Sequence, residues 1–225
     1  MFLAKIFGLK KKGDSTKVVE NSSKEIKSFL SQILDGSMVY QPDSMRHYIR
    51  GTRKNPGNFL YTSIRRRALQ DKKRLGILVD VSGSMYVDSV MTAIRSMKES
   101  LNVVSSDSVV VTWDTSKCEE FPITKIPESV SLGGGTDMAK GLRYLVDNKK
   151  CDEVVVYSDM GTELPSMTSL IKSKGTKVYT IKVCDSSEMK DGRFTTLSWG
   201  DPKEWADYIK VNQRVLYVSN DQLKR

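Results

Sequence analysis

Gly76-Ile77-Leu78-Val79-Asp80-Val81-Ser82-Gly83-Ser84-Met85 joins an unbroken apolar run to an acid and then to two hydroxyls at alternate positions. Residues 76–79 are too few for a helix and read as a buried strand. Asp80, Ser82 and Ser84 follow where that strand ends. Glycine at 83 lets the backbone turn sharply and pass close to whatever the side chains hold. One carboxylate and two hydroxyls converging on a point form a set of hard oxygens, the donor chemistry of a Mg²⁺ site.

Downstream of this stretch the pattern is regular. Val90, Ile94, Met97, Leu101 and Val104 step by four and three, which predicts a helix over residues 86–103 with one buried stripe. Val109-Val-Val-Thr-Trp113 is a second strand, and residues 120–126 are expected to form a third, with Pro122 marking a sheet edge. Leu132-Gly-Gly-Gly-Thr136-Asp137 is a glycine-rich loop opening a helix that runs to about residue 147. Val154-Val-Val-Tyr157-Ser158-Asp159 is another buried strand ending in an acid. A helix over 163–173, strands over 177–184 and 194–199, a helix over 202–210 and an apolar run at 215–218 complete the reading. Strands alternating with helices predict an α/β, Rossmann-like fold: a mostly parallel central sheet covered by helices on both faces.

Upstream the character changes. Residues 1–75 carry 17 Lys and Arg against 6 Asp and Glu, whereas the remaining residues carry 19 against 21. The chain is therefore expected to divide into a basic N-terminal extension, 1–73, and an α/β domain, 74–225. The extension begins with an amphipathic segment rich in Phe, Leu and Ile and followed by Lys10, Lys11 and Lys12. Residues 1–12 fit peripheral contact with an anionic membrane surface, or docking on protein. A polar linker leads to a helix over about 23–35. Ser22 and Glu25 have capping-box spacing, Ile26, Phe29, Leu30, Ile33 and Leu34 form its apolar face, and Gly36 is a candidate stop. An Arg-rich arm, 41–73, interleaves Tyr48, Phe59 and Tyr61 with cations. Arg50, Arg53, Arg65, Arg66 and Arg67 are its candidate contacts to an anionic partner, nucleic acid included.

The overall net charge is +9, with 39% hydrophobic and 28% charged residues, and no stretch approaches the roughly 20 apolar residues of a membrane span. Cys118, Cys151 and Cys184 lie far apart without a CxxC, which points to free thiols in a reducing, cytoplasmic compartment. Cys184, inside an apolar run, reads as core. His47 is the single histidine, leaving almost no material for a histidine-based zinc site or a Ser-His-Asp triad.

Three elements carry chemistry: Asp80-x-Ser82-x-Ser84, then Gly135-Thr136-Asp137, then Ser158-Asp159. In an open parallel sheet, strand C-terminal ends share one edge, where ligands bind at the topological switch point. In this order and spacing the three elements resemble the metal-ion-dependent adhesion site (MIDAS) of von Willebrand factor A (vWA) domains. The resemblance implies a vWA fold and a metal site made by Asp80, Ser82, Ser84, Thr136 and Asp159. It implies bound Mg²⁺, with Mn²⁺ or Ca²⁺ as alternatives, and a partner protein whose Asp or Glu completes the coordination. Asp137 would support the loop or cap its helix. The arm and the GGGTD loop are most similar to the intracellular bacterial branch, the CoxE-like and metallopeptidase-associated vWA proteins. Members of that branch work beside MoxR-type AAA+ ATPases, so such an ATPase is an expected partner class.

These readings favour a non-catalytic, metal-dependent protein-interaction module. The alternative is a nucleic-acid-associated protein that uses residues 41–75, with the α/β domain as scaffold. A phosphoryl hydrolase is disfavoured, because the chain has no P-loop lysine motif and GGGTD lacks a phosphate-neutralising lysine.

Overall fold

The structure is a computed structural model that describes residues 22–37, 47–48, 61–62, 74–100, 108–115, 118–122, 125, 127, 129–190, 193–198 and 200–220. In chain order these form α1 (Ser22–Ser37), β1 (His47–Tyr48), β2 (Tyr61–Thr62), β3 (Leu75–Asp80), α2 (Val87–Ser100), β4 (Val109–Trp113) and β5 (Cys118–Pro122). Then come α3 (Met138–Arg143) with a π-helical continuation (Tyr144–Asn148), β6 (Glu153–Ser158), α4 (Leu164–Lys174) and β7 (Lys177–Cys184). A 3₁₀ turn (Ser186–Glu188), β8 (Met189–Lys190), β9 (Arg193–Phe194), α5 (Pro202–Val211) and β10 (Arg214–Ser219) follow.

Six strands make the central sheet in the order β10-β7-β6-β3-β4-β5. Every pairing is parallel except β4 with β5, so the fold is α/β with a mostly parallel sheet. The side-chain period of two sorts the core residues. Ile77, Val79, Val155, Tyr157, Ile181 and Val183 face one side. There they meet Val90, Ile94 and Met97 of α2 and Ile26, Phe29, Leu30 and Ile33 of α1. Leu78, Val111, Val154, Val156 and Val178 face the other, against Met138 and Leu142 of α3, Met167 and Ile171 of α4, and Trp205 and Tyr208 of α5. All six residues of β3 and of β6 are buried, which explains why both read as apolar runs.

Helix α3 packs closely on the sheet at Gly141. A Cβ at Gly141 would stand 2.7 Å from Leu78 Cδ1 and 2.9 Å from Trp113 Cγ, so only glycine fits at this contact. Among the described residues, no helix is long and apolar enough to cross a membrane.

Four local expectations differ from the structure. The third strand lies at Cys118–Pro122 rather than 120–126, because its exposed residues carry no apolar pattern to fix the register. It is nevertheless the edge strand that Pro122 suggested. Of the strand expected over 194–199, the described residues place only Phe194 in a strand; Arg193–Phe194 pairs with Met189–Lys190, and β10 takes the edge of the central sheet. The helix after the glycine-rich loop does not stay α-helical to its end but loosens into π geometry from Tyr144. Helix α1 includes Ser22 and runs past Gly36 to Ser37, a difference of the size by which fraying helix ends vary.

Candidate metal-binding site

Strand order places the site. From β3 the chain steps to β4 and β5 on one side, then returns to β6 and β7 on the other. The crevice of this α/β sheet therefore opens between the C-terminal ends of β3 and β6. Asp80 is the last residue of β3 and Ser158 the last of β6. The two meet there: the Ser158 hydroxyl donates to Asp80 Oδ2 at 2.6 Å. Asp80 Oδ1 accepts the Ser82 N–H at 2.9 Å, the short turn that starts the loop after β3. Ser82 Oγ and Ser84 Oγ lie 3.0 Å apart. Asp80 and Ser82 are buried and Ser84 is exposed, so the hydroxyl pair bridges the interior and the surface.

Backbone hydrogen bonds stitch the loops together. Gly133 N–H donates to Val81 O at 3.0 Å and Gly83 N–H to Gly134 O at 3.2 Å. These bonds dock the glycine-rich loop on the Asp80-to-Ser84 loop. Thr115 N–H donates to Gly135 O at 3.1 Å, and Gly135 N–H to Thr115 Oγ1 at 3.2 Å. Gly134 has φ of +78°, a left-handed conformation that favours glycine. Thr136, half-buried, immediately precedes Asp137, the N-cap of α3, whose side chain accepts the Lys140 N–H. Met138 N–H donates to Thr162 Oγ1 at 3.3 Å, tying that helix start to the loop after β6. On this last loop Asp159 is half-buried, and its Oδ1 accepts the Gly161 N–H at 2.9 Å.

The fold thus gathers the loops carrying all five candidate ligands at one edge. Among the described residues, no direct hydrogen bond joins the Thr136 hydroxyl or the Asp159 carboxylate to Asp80, Ser82 or Ser84. No three His, Cys, Asp or Glu residues cluster among the described residues; the candidate set is two carboxylates and three hydroxyls. Arg50, Arg53, Arg65, Arg66 and Arg67, the amphipathic start 1–12 and the linker lie outside the described residues.

The electrostatics at Asp80 suit a cation. Burial pushes the Asp80 carboxyl up from 3.8 to about 6, against the hydrogen bonds from Ser158 and Ser82, and the neighbouring Asp159 raises it further. Among the described residues, no cation figures in these influences. A desolvated carboxylate beside a second acid and two hydroxyls is costly to ionise alone. It fits a hard divalent ion in its place.

Two contributors lie outside the candidate ligand set: Ser158, which the sequence marks only as part of the Ser158-Asp159 element, and Asp114, which it does not mark. Ser158 orients Asp80 from the neighbouring strand, and its Oγ also accepts the Met160 N–H at 2.8 Å. Asp114 is buried directly after β4, and a Cβ on Gly134 would stand 3.1 Å from its Oδ2, so its carboxylate lies against the glycine-rich loop. The available signal was position: like Asp80 and Asp159, Asp114 stands where a β-run ends. No protein-family model matches the chain, and no curated protein matches it.

Proposed function

We propose that this chain is a vWA-type, non-catalytic interaction module that recognises an Asp or Glu of a partner protein through a Mg²⁺ site. The observation that carries this reading is Asp80: a buried carboxylate at the sheet's switch point, flanked by hydroxyls and a second acid, with no cation among the described residues acting on its charge. Asp80, Ser82, Ser84, Thr136 and Asp159 would hold the ion. When bound, Mg²⁺ supplies an electrophilic point charge, left underneutralised by weak hydroxyl ligands, that attracts an outside carboxylate. The protein's own part is to orient these oxygens by Ser158, by the Ser82 amide and by the docked glycine-rich loop. Both Asp80 oxygens already accept hydrogen bonds, which suits a fixed ligand better than a general base. The partner class consistent with the vWA resemblance is an AAA+ ATPase of the MoxR type.

A pull-down of such an ATPase in Mg²⁺ and in EDTA, with Asp80→Ala as control, tests the reading. Retention in Mg²⁺ alone, lost in the variant, is expected; metal-independent retention overturns it. The excess of cations in residues 1–75 favours a second reading, nucleic-acid contact by the arm. It predicts binding that weakens steeply with salt, and no binding at low salt eliminates it.

A further inference from the structure

Lys182 of β7 is fully buried, yet its Nζ is ringed by oxygen. It donates to Asp159 O at 3.0 Å, to Val183 O at 3.3 Å, and to Glu188 Oε1 and Oε2 at 3.1 and 3.0 Å. The Phe194 ring lies 5.7 Å from the ammonium. Glu188 is itself buried and closed off by donors: the Asp185 N–H at 3.2 Å and the Ser198 N–H at 2.7 Å. Asp185 and Glu188 form a capping box around the 3₁₀ turn, and Asn220 Nδ2 reaches Asp185 Oδ1 at 3.3 Å. Glu188 O accepts both the N–H and the hydroxyl of Thr195. The carboxylate is thus braced by the chain on either side of the β8–β9 pair.

The ammonium's remaining strong contact is the Asp159 carbonyl, and the backbone there is unusual. Met160 has φ of +65° although it carries a long side chain and is buried. Such a conformation persists only where the surroundings over-determine it. Here they do: Ser158 Oγ holds the Met160 N–H, Asp159 Oδ1 holds the Gly161 N–H, and Lys182 holds Asp159 O. The turn that carries the Asp159 carboxylate is therefore pinned from β6, from within and from β7.

A buried ion pair is weak evidence for stability, since apolar residues of similar volume often do as well. What a hydrocarbon side chain does not do is hold a backbone carbonyl. We propose that the Lys182–Glu188 pair is a positioning device for the metal site: it fixes the Asp159–Met160–Gly161 turn so that the Asp159 carboxylate stays aimed at the ion. This rests on the Mg²⁺ reading above. Supporting groups behind metal ligands typically change affinity by about 10–100-fold when removed, which sets the scale expected here.

The test compares the full chain with a Lys182→Met/Glu188→Gln variant, which removes both charges together. Mg²⁺ affinity is measured by calorimetry, melting temperature in EDTA, and hydrogen exchange at the Met160 and Gly161 amides in EDTA. A variant that melts near the wild-type temperature but binds Mg²⁺ about 10–100-fold more weakly, with faster exchange at both amides, supports the proposal. Wild-type affinity in a folded variant overturns it. If the wild-type protein binds no Mg²⁺, the proposed function fails, and exchange alone judges the clamp: unchanged rates overturn it and faster rates support it. If the variant does not fold, the wild-type protein decides. The proposal requires the two amides to exchange only with global unfolding, and ready local exchange refutes it.

Discussion

Replacing Asp80 by Asn should stabilise the metal-free protein, even though Asp80 is buried and doubly hydrogen-bonded. The perturbation is nearly isosteric. Asn Oδ1 can still accept the Ser82 N–H, while Nδ2 faces Ser158 Oγ, which must redirect its own proton. That exchange of partners adds an offset of about 1 kcal/mol that does not vary with pH. The pH-dependent part comes from charge. Burial raises the Asp80 pKa from 3.8 to about 6, so without metal the folded state holds this proton more tightly than the unfolded chain. Stability from this group therefore falls as pH rises through that window, and the penalty is complete above it. The full effect is about 3 kcal/mol, of which about 1.3 kcal/mol develops between pH 5 and 7. Urea unfolding of both proteins in EDTA across that range measures it, and subtraction removes groups common to both. The difference should grow with pH in favour of Asp80→Asn, and saturating Mg²⁺ should reverse its sign by stabilising only the wild type. A pH-independent difference, or one that grows in favour of the wild type, would show that the buried Asp80 charge does not destabilise the metal-free fold.

Ser158→Ala removes the donor to Asp80 Oδ2 and the acceptor of the buried Met160 N–H, and should cost about 1–3 kcal/mol in urea unfolding. Gly141→Ala gains helix propensity of about 1 kcal/mol but drives a methyl into Leu78 and Trp113, an overpacking cost of about 1–3 kcal/mol. A net loss of stability by thermal unfolding is expected. A maleimide applied to the native protein at pH 8 should modify Cys118 alone. Cys118 is exposed, whereas burial of Cys151 and Cys184 pushes their thiols up to about 11 and about 12. Mass spectrometry should read one adduct, and three in urea.

Much of this architecture is legible because two physical signals coincide in the sequence. Residues 76–79 and 154–157 are apolar without alternation because β3 and β6 are buried on both faces, and each run is followed by a polar strand end at the open edge. That is enough to place Asp80 and Asp159 beside one crevice. The edge strand is harder to read, because Cys118, Glu119 and Glu120 are exposed and nothing in the pattern distinguishes strand from loop. The clamp is the least legible part. Lys182, between Ile181 and Val183, looks like a solvent-facing strand residue; the Glu188 carboxylate and the Asp159 and Val183 carbonyls make its burial tolerable. Asp114 is similarly hidden, since its importance lies in a contact with a glycine twenty residues on.

Whether the five oxygen-bearing side chains hold one divalent ion is decided by titrating Mn²⁺ against the protein and reading free Mn²⁺ by electron paramagnetic resonance. Thr136→Val and Asp159→Asn are the variants to compare, since Asn keeps an acceptor for the Gly161 N–H. The account predicts one Mn²⁺ site in the wild type, displaced by Mg²⁺ and weakened about tenfold or more in each variant. A wild type that binds no Mn²⁺ at millimolar concentration, or variants that bind it as the wild type does, would contradict it.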